Sequence, residues 1–163
     1  MGADYGKVQR TLQDWLTAER KTLKVITEKP DEIFVFFVEW TSGMHVTVGV
    51  YKGMPHAILV NFSLALRDDQ KARLDSLPKE QREAFLTSLN FALSEREDTA
   101  SFNDYHEKEW LRAQRRVYIE DLTRTLFFEA LRGLSLTHRR LLMILESSRI
   151  FSRDAQSPTA VYS

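Results

Sequence analysis

With 163 residues, 43% of them apolar and 28% charged, the chain has the balance of one soluble globular domain rather than of a disordered segment. Lys plus Arg and Asp plus Glu each number 23, so net charge is zero and the basic excess of a general polyanion binder is missing. Cysteine is absent, which excludes disulfides, Cys-ligated zinc and thiol catalysis, and the lack of a long apolar run makes the cytoplasm the expected location.

Taken in order, Lys7 to Arg20 predicts a helix. Val8, Leu12, Trp15 and Leu16 share one face at i, i+4, i+7, i+8 spacing, with Asp4 or Gly6 as the N-cap. Thr22 to Glu28 predicts a first strand, and Lys29-Pro30-Asp31 turns the chain into the stretch that organises the rest. That stretch, Glu32 to Phe62, holds three runs rich in β-branched and aromatic residues: Ile33 to Trp40, Met44 to Tyr51 and Ala57 to Phe62. Thr41-Ser42-Gly43 and Lys52-Gly53-Met54-Pro55 separate them. Gaps that short pair neighbouring strands as antiparallel hairpins, so a meander is expected.

The first of these strands is apolar on both sides. Ile33, Val35 and Phe37 point one way; Phe34, Phe36, Val38 and Trp40 point the other. A sheet with one wet face would alternate instead, so the pattern calls for a cover on the second face, from this chain's helices or from another copy. In the next strand Val46, Val48 and Val50 turn inward, opposite His45, Thr47, Gly49 and Tyr51.

After Phe62 the period changes to that of helices. Asp68 or Asp69 opens a short helix to Leu74. A second follows Pro78, with Phe85, Leu86, Leu89 and Leu93 as its apolar face, and ends in the charged run Glu95-Arg96-Glu97-Asp98, read as a solvated loop. Thr99 to Tyr105 and Trp110 to Ile119 return to strand alternation, although Arg115 interrupts the apolar side of the latter. Asp121 is the expected N-cap of the last element. Leu122 to Phe151 is helical and apolar nearly all round, and Gly133 predicts two helical segments or one kinked helix. The expectation is therefore α+β: a single antiparallel β-sheet of five to six strands with N-terminal, middle and C-terminal helices packed on it. Residues 1–151 form the domain and 152–163 a flexible tail.

Chemical motifs are scarce. His45, His56, His106 and His138 show neither HxxxH nor HxH spacing, so no metal is expected. No GxSxG elbow, GxGxxG or GxxxxGK[ST] loop can be drawn, and Asp68-Asp69 and Glu120-Asp121 read as helix starts. Neither a catalytic residue nor a cofactor is expected. Arg112, Arg115 and Arg116, near Trp110 and Tyr118, form a basic and aromatic cluster that could clamp a single strand of nucleic acid. The balancing reading is an exposed strand face, with Glu107, Glu109, Glu120 and Asp121 offsetting the charge.

The segments Leu74-Asp75-Ser76-Leu77-Pro78-Lys79-Glu80-Gln81-Arg82-Glu83-Ala84-Phe85-Leu86 and Val117-Tyr118-Ile119-Glu120-Asp121-Leu122-Thr123 are similar to an uncharacterised archaeal-type family. The order of elements also resembles the type III secretion chaperone-like fold shared with YbjN-like proteins. The resemblance implies a homodimer that offers an apolar groove or sheet edge to another polypeptide, and no catalysis. A non-enzymatic, chaperone-like protein- or peptide-binding module is thus the expected function, with Phe34, Phe36, Trp40 and Trp110 as the exposed aromatic candidates for the partner. A small nucleic-acid-binding protein using the arginine cluster is the alternative.

Overall fold

The computed structural model describes residues 2–41, 43–94 and 99–148. The fold is α+β, with a six-stranded antiparallel sheet and four α-helices in the order α1 (Tyr5–Ala18), β1 (Thr22–Val25), β2 (Glu32–Thr41), β3 (Met44–Tyr51), β4 (Met54–Leu64), α2 (Asp68–Ser76), α3 (Lys79–Ser94), β5 (Thr99–Phe102), β6 (Leu111–Tyr118) and α4 (Arg124–Ser147). Strand order is β1-β2-β3-β4-β6-β5. The chain divides into two compact units, residues 1–62 with 114–135 and residues 63–113 with 136–163. The charged run at 95–98 and the expected tail at 152–163 lie outside the described residues.

The first unit contains the expected meander. In α1, Asp4 caps the helix by accepting from the Lys7 N–H at 3.0 Å, and Leu12 and Leu16 are its buried residues. The first strand is shorter than its alternation suggests. Beyond Val25, the Ile26 N–H still donates to the Val35 carbonyl, and the Val35 N–H donates to the Thr27 hydroxyl at 2.9 Å. The turn into β2 is closed by Glu32, whose carboxylate accepts from the N–H groups of Glu28 and Lys29. The Lys29 N–H, then that of Glu28, holds this carboxyl below its ordinary range. The β2–β3 hairpin pairs Thr41 with Met44, and Gly43 takes φ +78° in its turn, a conformation that glycine adopts without a Cβ penalty. Across the second hairpin Tyr51 pairs with Met54, so Met54 and Pro55 belong to β4 rather than to the turn.

The core of this unit lies on the Phe34, Phe36, Val38 and Trp40 side of β2. All four are buried, as are Val46, Val48 and Val50 of β3 and Ile58, Val60 and Phe62 of β4. Helices α1 and α4 cover that side. Trp40 stacks on Phe128 at 5.8 Å, Trp15 meets Phe127 at 6.1 Å, and Arg124 bonds Glu19 at 2.8 Å. Each phenylalanine buried there contributes about 1.5–3 kcal/mol.

The opposite side does not receive the uniform cover that its apolar residues predicted. Val35 is buried at 1% exposure, whereas Phe37, two residues on, is 42% exposed. Gly49 lies directly across from Val35, and a Cβ at Gly49 would sit 2.8 Å from both the Phe34 carbonyl oxygen and Val35 Cγ2. The missing side chain lets β2 and β3 approach closely there.

Two sequence anomalies explain each other. Arg115 interrupts the apolar side of β6, and Gly133 interrupts the apolar run of α4. A Cβ at Gly133 would overlap the Arg115 guanidinium, so the glycine leaves room for the arginine to lie on the helix backbone. Accordingly α4 runs unbroken over 24 residues instead of breaking at Gly133. Its cap differs from expectation too. Asp121 belongs to a 3-10 turn at Ile119–Asp121, and Thr123 does the capping, its hydroxyl accepting from the Leu126 N–H at 3.2 Å.

In the second unit, α2 opens with Asp68 and Asp69 in its first turn, where the helix dipole favours carboxylates, and Gln70 reaches back to the Arg67 N–H. Helix α3 follows Pro78 and buries Leu89 and Leu93, while Phe85 and Leu86 are half-buried.

Candidate functional site

The four aromatic candidates for a partner, each of which also reads as a core position, are buried in the structure. Phe34 and Phe36 are 1% and 0% exposed and touch each other with ring centres 5.4 Å apart. Trp40 lies under Phe128, with the Lys21 ammonium 4.5 Å from its ring centre and donating to its carbonyl. Trp110 is buried edge-on against Phe102 at 5.7 Å, and its N–H donates to the Leu64 carbonyl. The physical reason is ordinary: large aromatic side chains on a helix-covered strand face become core.

The three arginines have different settings. Arg112 is held by Glu109 through two hydrogen bonds, 2.7 Å from Nε and 3.0 Å from Nη2. Arg115 lies on α4 at Gly133, and Arg116 is exposed. The burial alternation of β6 sets Arg115 on the opposite side of the strand from the exposed Arg112 and Arg116, since neighbouring residues of a strand point to opposite faces.

Sequence reasoning missed a polar constellation in the second unit. Asp75, on the last turn of α2, accepts from the Tyr105 hydroxyl at 2.5 Å and lies 3.0 Å from His106 Nε2. The Tyr105 hydroxyl, followed by the charge of His106, lowers the Asp75 carboxyl, and the same bond raises the Tyr105 phenol. His106 and Asp75 are each about half exposed, at 51% and 48%, so water screens the pair and it tethers the β5–β6 loop to α2. No spacing rule could have found it, because its members are about thirty residues apart. The remaining histidines differ in setting: His45 stacks on Phe37, His56 stacks on Tyr118, and burial lowers the basicity of His138. No group of three metal-ligating side chains comes together among the described residues.

The exposed apolar surface lies elsewhere than predicted. In the second unit, Leu136, Leu142 and Met143 of α4 are 50%, 39% and 63% exposed, and Phe91 of α3 is 67% exposed. Leu136 and Met143 are one heptad apart and so share a helix face. A shallow depression of about 190 Å³ lies among Leu86, Thr87, Asn90, Phe102, Asn103 and Trp110. Both edge strands, β1 and β5, are only four residues long, which limits strand addition by an extended peptide. Among the described residues no helix is long and apolar enough to cross a membrane.

Comparison with known proteins agrees with the fold. The crystal structure of an uncharacterized protein from Methanothermobacter thermautotrophicus superimposes with a TM-score of 0.74 at 15% identity, covering 85% of this chain and 96% of that one. No curated protein matches the sequence. The model of the family described as "Uncharacterized conserved protein (DUF2299)" matches residues 8–145, and the chain belongs to that family.

Proposed function

We propose that the protein is a non-enzymatic, cytoplasmic module that binds another polypeptide as a homodimer, in the manner of type III secretion chaperone-like and YbjN-like proteins. The observation that carries this reading is the C-terminal half of α4. Leu136 and Met143 are half exposed or more on one helix face, and Leu142 adds to the same half. A heptad-spaced apolar pair on a helix is the start of a helix-packing seam, and covering it removes apolar surface from water. The short edge strands favour this helical surface over strand addition as the docking mode.

Native pull-down of the tagged, nuclease-treated protein, read by mass spectrometry and light scattering, tests the reading. The expected result is a dimer mass and one polypeptide recovered stoichiometrically, with both lost in a Leu136→Glu, Met143→Glu variant. A partnerless monomer at micromolar concentration would overturn it.

A further inference from the structure

The dimer reading leaves one face of the first unit without a role: the side of the sheet turned away from α1 and α4. Strand parity fixes what it presents. Trp40 stacks on Phe128 of α4, so its neighbours at even positions face that helix and Phe37 faces away. Arg115 lies on Gly133 of the same helix, so Arg116 and Tyr118 share the face of Phe37. Lys24 and Thr47 lie directly across from Phe37 on the two neighbouring strands, and Asn61 continues the row on β4.

This face carries aromatic rings in stacked pairs. Phe37 and His45 stack at 4.9 Å and 14°, and Tyr118 stacks with the exposed His56 at 5.9 Å and 9°. Phe37 and Tyr118 are 42% and 44% exposed, so each is backed by an imidazole and still partly wet. Pre-stacked rings of this kind are already ordered, which lowers the entropy lost when a further planar group lands on them. Lys24 beside Phe37 and Arg116 two residues before Tyr118 place a cation near each ring, against the single carboxylate Glu39 on that side of β2. A second copy of the chain fits poorly, because interface cores are depleted of charged groups and here charged or polar side chains surround each ring.

We infer that the exposed rings on this sheet face bind single-stranded nucleic acid, with bases stacking on Phe37 and Tyr118 and phosphates meeting Lys24 and Arg116. Sheets that read RNA use the same device, stacking roughly two or three bases on strand aromatics. Strands β2 and β6 are three spacings apart in the sheet order, about 14 Å, and Tyr118 stacks on His56, five residues along β4 from the Asn61 in the row of Phe37, so the two rings are about 20 Å apart, a span that one oligonucleotide of several nucleotides covers. With two cations the salt dependence is shallow, a log–log slope of about −1.4, because stacking rather than phosphate charge supplies most of the affinity.

Fluorescence anisotropy with labelled oligo(dT) and oligo(U) of about 12 nucleotides, at about 50 mM salt, tests the inference on the full chain. The expected result is saturable binding that weakens about tenfold in Phe37→Ala and again in Tyr118→Ala, while Arg116→Glu weakens it and flattens the salt slope. Lys24→Glu, at an exposed edge-strand position, gives a second readout independent of the rings. No saturable binding, or binding indifferent to Phe37→Ala and Tyr118→Ala, would overturn the assignment. A dimer that becomes a monomer on Phe37→Ala would overturn it as well, by giving the face to a second copy.

Discussion

Phe36 and Phe37 are consecutive, chemically identical and opposite in fate. The first is 0% exposed, beside Phe34 and on the face that α1 and α4 cover; the second is 42% exposed and stacked on His45. The difference shows that an apolar strand face is not a core until something is packed against it. On the helix side, Trp15, Phe127 and Phe128 supply that packing. On the other side Val35 is buried where Gly49 lets the strands close up, and two residues away Phe37 meets water.

The largest effect that would test this contrast is Phe36→Ala. Removing a fully buried ring leaves a cavity as well as losing transfer free energy, so urea unfolding is expected to show a loss of about 3–5 kcal/mol. A loss below about 1 kcal/mol would mean that the helix face is not the core. Gly49→Ala comes next. Its Cβ would meet the Phe34 carbonyl, a backbone atom that cannot swing aside, and overpacking of that kind costs about 1–3 kcal/mol. If Gly49→Ala were neutral in thermal melts, the close approach of β2 and β3 would be wrong. The smallest expected change is Phe37→Ala. Its stability should stay within roughly 0.5 kcal/mol of the parent, as for other exposed positions, which also makes it a clean probe of binding.

Much of the fold was legible in the sequence because local rules and tertiary packing agree there. Period-2 runs separated by short gaps became β2, β3 and β4, and Asp4 capped α1 through the Lys7 N–H. Where two local solutions were equally good, sequence could not choose. Thr123 and Asp121 are both competent caps, and the helix register selected the threonine. Arg115 and Gly133 each looked like a flaw in its own element, and only their meeting across the strand and the helix makes them a matched pair. The polar constellation of Asp75, Tyr105 and His106 was invisible for the same reason, since its three members come from two separate elements.

The sequence by itself determined the antiparallel meander, the helices around it and the absence of recognisable catalytic motifs, because periodicity, turn residues and caps act over a few neighbouring residues. Tertiary structure alone decided exposure. It buried Phe34, Phe36, Trp40 and Trp110 and left Phe37, Tyr118, Leu136 and Met143 at the surface, although all eight look alike as apolar or aromatic positions in a periodic run. The physical reason is that burial belongs to pairs of surfaces: a side chain leaves water only where another element of the fold arrives to replace it.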